Sequence, residues 1–332
     1  MKAAVLHGIG DLKYESVSLP VINDDEVLVK IKYCGICGSD VGRVFVKGTY
    51  RFPTIPGHEF SGIVVNDKTG KFLNKRVTVF PLLPCFNCLS CKAEEFATCE
   101  NYDYYGSRRD GGFAEYLAVK KWNLVLLPDN VDFKVGAMTE PMAVALHATK
   151  KLGDLNGKTV LVSGAGPIGL LIGLNAEAIG ARNVYYIDID EKKLKFAESL
   201  GFLPFSEKVK ADACVEGTGF DSALKKCLDA AKPRSTVVLL GNPSKDVCLE
   251  QKDYWNIMRK ELTVLGTWNS SFSDRRNDWK DCLDNVKNGV IAPEKLISHI
   301  FPLSQIDKAF DIAKNKKEFY NKILIDCDEN SD

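Results

Sequence analysis

Up to about residue 145, apolar positions come in short β-rich runs broken by turn residues, for example Glu26-Val-Leu-Val-Lys-Ile-Lys32, Gly62-Ile-Val-Val65 and Lys75-Arg-Val-Thr-Val-Phe80. Such runs predict an irregular β-rich domain. From about Lys158 the pattern becomes a strict alternation of strand and helix. Thr159-Val-Leu-Val-Ser163 reads as a buried strand, Gly164 to Gly169 as a turn, the residues through Ala181 as a helix, and Asn183-Val-Tyr-Tyr-Ile187 as a second strand. That alternation predicts an α/β chain whose later part is a doubly wound parallel sheet.

The sheet continues through strands that end at Glu216-Gly-Thr-Gly219 and Gly241-Asn-Pro243, and closes with Glu261 to Asn269. An amphipathic helix follows Asp274. Ile297-Ser-His-Ile-Phe301 and Lys322-Ile-Leu-Ile-Asp326 read as strands returning to the first domain. The expected domains are therefore 1–147 with 289–332, and 148–288. Thr159 to Gly180 is about as long as a membrane span of roughly 20 residues. Its glycines, with Ser163, Asn175 and Glu177, favour a strand, a turn and a helix instead.

Composition narrows this picture. A length of 332 residues suits two domains, each able to bury its own core. Lys plus Arg equals Asp plus Glu at 44 each, so no bulk field recruits nucleic acid or an anionic membrane, and an anionic substrate needs a local cluster. The N-terminus lacks signal-peptide architecture, so a cytoplasmic enzyme is expected. Eleven cysteines in such a chain point to metal binding or burial before disulfides. Cys214, Cys227, Cys248, Cys282 and Cys327 have no ligand spacing and read as core or surface thiols.

Three stretches carry chemistry. Cys34-Gly-Ile-Cys37-Gly-Ser-Asp40 and Pro56-Gly-His58-Glu59 offer sulfur, nitrogen and oxygen donors in Cys37, His58 and Glu59, the mixture that suits a catalytic Zn²⁺ with an open position. The plainer reading makes Cys34 and Cys37 buried small hydrophobes and His58 a satisfied loop histidine. Cys85, Cys88, Cys91 and Cys99 fall within fifteen residues as C-x2-C-x2-C-x7-C, tethers short enough to close one tetrahedral structural Zn²⁺. An iron–sulfur cluster is the competing reading; no further cysteine run or Cys-Pro follows, which favours zinc. Gly164-Ala-Gly166-Pro167-Ile168-Gly169 stands between a strand and a helix, with Asp188 ending the next strand 19 residues after Gly169. That predicts a dinucleotide site, in which the glycines admit the pyrophosphate to the helix N-terminus and the acid binds the ribose; a glycine-rich helix-packing motif is the plainer reading. A carboxylate there repels a 2′-phosphate, so NAD is favoured over NADP. Glu140, heading a helical pattern from Met142 to Lys151, reads either as a helix-dipole charge or as a metal ligand.

Together these motifs and the terminal return segment resemble the zinc-dependent medium-chain alcohol and polyol dehydrogenases along nearly the whole chain. The resemblance implies a GroES-like catalytic domain split around a Rossmann domain, and two zinc ions, one catalytic and one structural. It implies that Cys37 and His58 bind the catalytic zinc with Glu59 or Glu140 as exchanging carboxylate, that Asp40 orients His58, and that Ser39 relays the substrate's proton. Pro81-Leu-Leu-Pro-Cys-Phe-Asn-Cys88, Gly106 to Tyr116 and Arg259 to Val264 are most similar to members acting on polyol phosphates. A phosphate needs localised cations. Arg43, Lys47, Arg51, Arg108 and Arg109 are the candidates, with Arg43 favoured. An unphosphorylated polyol or threonine remains open as substrate, as does a nucleotide-binding protein that has lost catalysis. A homodimer or homotetramer is expected, with the strand at Leu262 to Leu265 a candidate for pairing across a two-fold axis.

Overall fold

The computed structural model describes residues 1–328. The chain forms two units, Met1–Glu140 with Ser271–Asp332, and Pro141–Ser270. These boundaries lie earlier than the expected 147/148 and 288/289. The helix Asp278–Lys287 explains the later one: its Trp279 is fully buried, edge-on to Phe80 at 5.6 Å, so this helix completes the core of the first unit.

In the first unit a seven-stranded sheet runs in the order Ile297–Pro302, Lys322–Asp326, Glu26–Gly35, Glu59–Asn66, Arg76–Val79, Leu124–Leu126, with Tyr116–Lys120 also pairing to Glu26–Gly35. Strand Glu26–Gly35 is central, and its inward residues Val27, Val29 and Ile31 are fully buried. Its end fixes what comes next. Gly35 pairs with both Glu59 and Leu324, which brings the start of one distant strand and the middle of another to the point where the chain leaves for Cys37.

The second unit is a six-stranded parallel sheet in the order Leu203–Pro204, Asn183–Ile187, Thr159–Ser163, Ala211–Glu216, Ala231–Leu239, Thr263–Gly266. Strand order reverses between Thr159–Ser163 and Ala211–Glu216, the place where such sheets take a nucleotide. Thr159–Ser163 is buried throughout, as its apolar run predicts. The helix after it spans Pro167–Ala178, ending earlier than Ala181 because Gly180 turns the chain at φ +97. No described helix is long and apolar enough to cross a membrane.

Candidate metal centre

Cys37 caps a five-residue helix, Gly38–Gly42. Its Sγ accepts from the Ser39 amide at 3.5 Å, while its own amide donates to Asp40 Oδ2 at 3.0 Å. The local turn therefore aims the sulfur and the Asp40 carboxylate together. Asp40 is fully buried, and its other oxygen meets His58 Nδ1 at 3.2 Å. With Nδ1 engaged, Nε2 is the ring nitrogen left for a cation. Burial alone would lower the His58 pKa, yet Asp40 and Cys37 hold it well above its ordinary value. For Asp40 the burial penalty is outweighed by His58 and Arg43, which keep its carboxyl low.

One donor atom each from Cys37, His58 and Glu59 lies within 4.8 Å of the others. A soft sulfur, an imidazole and a carboxylate at that separation fit Zn²⁺. Glu140 stands outside this trio but faces it. It sits in the first turn of the helix Thr139–Lys150, is 7% exposed, and accepts from the Tyr104 hydroxyl at 3.4 Å. Burial, assisted by Glu59 and opposed by His58 and Lys322, pushes the Glu140 carboxyl up to about 7.

The sequence offered no sign of two further neighbours. Lys322 is 2% exposed, forms an ion pair with Glu59, and donates to the Ile36 carbonyl at 3.2 Å. Burial works against its charge, but Glu59 and Cys37 leave its pKa raised. At the head of an apolar strand in the last dozen residues, it has no spacing that points to a site. Tyr104, whose ring lies 5.8 Å from that of His58, is hidden in the run Tyr102 to Tyr105 in the same way.

Among the five candidate cations, Arg43 reaches the trio's neighbourhood: its Nη1 donates to Ser39 Oγ at 2.8 Å. Arg51 and Arg109 are engaged by Asp110 at 3.2 Å and Asp103 at 3.6 Å. Arg108 lies between Tyr50 and Tyr102, 4.2 and 4.6 Å from their ring centres, and Lys47 is exposed.

The four thiols of Cys85, Cys88, Cys91 and Cys99 also lie within 4.8 Å of one another. Hydrogen bonds from the Asn87 and Cys88 amides bring the Cys85 thiol down to about 6, whereas burial pushes Cys91 up to about 12. A cluster in which one thiol favours the thiolate and another resists it suits a cation that supplies the missing charge. Cys214, Cys227, Cys282 and Cys327 are buried thiols, and Cys248 is exposed.

In the second unit Gly164 takes φ +103, and a Cβ on Gly169 would overlap the Gly164 carbonyl oxygen. Gly166 and Pro167 open the following helix, and Ile168 lies in its first turn. Asp188 accepts from the Ala165 amide at 2.8 Å and the Asp190 amide at 2.9 Å, so the acid also pins the glycine turn.

Comparison with known proteins identifies the family to which this fold belongs. Residues 23–129 match the alcohol dehydrogenase GroES-like domain and residues 167–288 the zinc-binding dehydrogenase domain. Galactitol 1-phosphate 5-dehydrogenase of Escherichia coli strain K12 is 35% identical over 91% of this chain and 93% of its own length. Sorbitol dehydrogenase of Bombyx mori is 32% identical over 97% of each chain. The crystal structure of galactitol-1-phosphate dehydrogenase from Escherichia coli aligns at a TM-score of 0.90 and 34% identity, covering 98% of this chain and all of that one. The chain therefore belongs to the zinc-dependent medium-chain alcohol and polyol dehydrogenases, enzymes that work with a nicotinamide cofactor.

Proposed function

We propose that this enzyme oxidises a secondary alcohol of a polyol phosphate, galactitol 1-phosphate to tagatose 6-phosphate, using NAD and two zinc ions per chain. The observation that carries the substrate class is Arg43. Its guanidinium is half-buried, donates to the neutral Ser39 hydroxyl, and among the described residues forms no direct ion pair, acting on Asp40 only through space, so it retains donors for a phosphate. The 35% identical relative named for galactitol 1-phosphate supports the same reading.

Cys37 and His58, with Glu59 or Glu140, would hold the catalytic zinc, and Cys85, Cys88, Cys91 and Cys99 the structural one. When bound, the first ion would lower the pKa of the substrate hydroxyl as a Lewis acid, and the nicotinamide would accept the hydride. The chain's own part is positional and protonic. Asp40 fixes the ring of His58, Ser39 Oγ takes the hydroxyl proton and passes it outward, and Arg43 anchors the phosphate. Gly164, Gly166, Pro167, Ile168 and Gly169 shape the pyrophosphate turn. Asp188 receives the adenosine ribose, and its charge selects NAD over NADP.

A substrate panel tests this. Galactitol 1-phosphate with NAD should give the highest kcat/KM among galactitol 1-phosphate, sorbitol and threonine with either cofactor. Arg43→Ala should raise the KM for galactitol 1-phosphate by about 10- to 100-fold, the worth of a charge-assisted hydrogen bond. An unchanged KM would transfer the phosphate reading to another group. The sorbitol dehydrogenase relative makes an unphosphorylated polyol the second reading, favoured if sorbitol outruns the phosphate ester. A metal assay finding no zinc at the Cys37–His58 donors would support a non-catalytic nucleotide binder.

We also expect a cytoplasmic homodimer or homotetramer. Thr263–Gly266 is an edge strand, mostly exposed, that a second copy could extend. A monomer by light scattering would remove that expectation.

A further inference from the structure

Two carboxylates face the Cys37–His58 donors, and they are tethered differently. Glu140 is held by a neutral hydroxyl, that of Tyr104, at 3.4 Å. Glu59 is held by a full positive charge, the Lys322 ammonium, with both side chains almost completely buried. The ammonium is itself fixed, since it also donates to the Ile36 carbonyl at 3.2 Å. Chain connectivity does nothing to bring these partners together, because they stand 263 residues apart. Sheet register does, through Gly35, which pairs with Glu59 on one side and Leu324 on the other.

Gly35 shows that the pair is built in. A Cβ at this position would overlap Glu59 Oε2 and lie 3.2 Å from Lys322 Cε. Glycine weakens a strand interior, yet here its missing side chain leaves the space in which the ion pair sits. Burying an ammonium is unfavourable until a partner offsets its lost hydration. Placing one beside donors meant for a divalent cation adds Coulomb repulsion against that cation. Two locally unfavourable choices therefore converge on one contact.

We infer that Lys322 is a positioning residue that competes with the catalytic metal for the Glu59 carboxylate, keeping Glu59 an exchangeable ligand so that the position can be yielded to substrate. The inference rests on the zinc reading proposed above. It assigns unequal parts to the two acids: Glu59 is the ligand whose release is assisted by a cation in direct contact, while Glu140, among the described residues, feels the Lys322 charge only through space.

The test uses the zinc-loaded protein and Lys322→Met, which keeps an unbranched side chain one atom shorter and removes the charge. Zinc loss to a chromophoric chelator reports the two ions separately, with the four-cysteine ion as internal control. The catalytic ion should bind about tenfold more tightly in Lys322→Met, because Glu59 has lost its competitor, while the four-cysteine ion is unchanged. For the best substrate, kcat should fall by about tenfold with a smaller change in KM, and Lys322→Arg should restore both. Should Lys322→Met not fold, Lys322→Gln carries the same expectation and retains a donor for the Ile36 carbonyl. A folded variant whose catalytic ion binds equally or more weakly overturns the inference and leaves the zinc assignment standing. Wild-type protein holding only the four-cysteine ion overturns both.

Discussion

The two donor clusters of the first unit are built on opposite plans. The four cysteines come from one stretch, Cys85 to Cys99, and local amides supply their support, those of Asn87 and Cys88 reaching Cys85 Sγ at 3.5 and 3.4 Å. The trio of Cys37, His58 and Glu59 is gathered from separate segments and steadied by Asp40, Lys322, Tyr104 and Glu140, of which Lys322 arrives from the last strand. A closed set of identical thiolates can stabilise a lobe and has no position to yield. A mixed set ringed by a second acid and a competing ammonium has ligands to exchange. Similar metals in the two places would thus contribute stability in one and chemistry in the other.

The sharpest way to break that comparison is to remove one sulfur from each cluster. Cys37→Ser should lower kcat/KM by at least about 10³, since the ion that polarises the alcohol is lost. The variant should still bind NAD and retain one zinc. Turnover equal to wild type would end the catalytic assignment of Cys37. Cys91→Ser should do the reverse, losing the structural ion and lowering the melting temperature by something on the order of 10 °C, while folded molecules keep their turnover. If both variants lost activity alike and stability alike, the two plans would not be distinct.

A smaller effect probes the support around His58. Asp40→Asn keeps an oxygen for the ring nitrogen but removes the charge, and partners of this kind typically change metal affinity by about 10- to 100-fold. Catalytic zinc should weaken by that amount in a chelator titration, with the four-cysteine ion unaffected. Equal loss from both clusters would mean that Asp40 acts on the fold of the unit and not on the imidazole.

The same contrast explains what the sequence could disclose. The cysteine cluster is legible because its spacing is its geometry: short tethers force the thiols together whatever the rest of the chain does. Gly164 to Gly169 with Asp188 is legible for a similar reason, since a strand, a turn and a helix in succession leave little freedom to the turn. Cys37, His58 and Glu59 were recognisable as donors, but their meeting depends on the pairing of Gly35 with Glu59, a long-range register. Lys322 lay beyond reach, because a lysine heading an apolar strand looks like any strand end until the sheet closes. The division of the structure near residue 270 is not legible for a related reason. The helix Asp278–Lys287 follows the last strand of the parallel sheet in sequence, and the burial of Trp279 against Phe80 that assigns it to the first unit leaves no local mark.

The smallest effect concerns Glu140 and the direction in which pH acts on the metal-stripped protein. Burial raises this carboxyl to about 7 from an ordinary value of 4.5. Between those values the native state keeps a proton that the unfolded chain has released, so stability falls as pH rises through the window and recovers as pH is lowered. Glu140→Gln keeps the oxygen to which Tyr104 donates and removes the titration. Metal-stripped wild type should therefore lose stability relative to Glu140→Gln between about pH 5 and pH 8, by about 1 kcal/mol once water entering the stripped site screens part of the shift. Denaturant midpoints at both pH values measure it. Zinc loading should shrink the difference, because a nearby dication favours the ionised carboxylate. Parallel pH profiles for the two stripped proteins would mean that Glu140 is solvated like a surface acid, and the second carboxylate would drop out of the contrast between the two clusters.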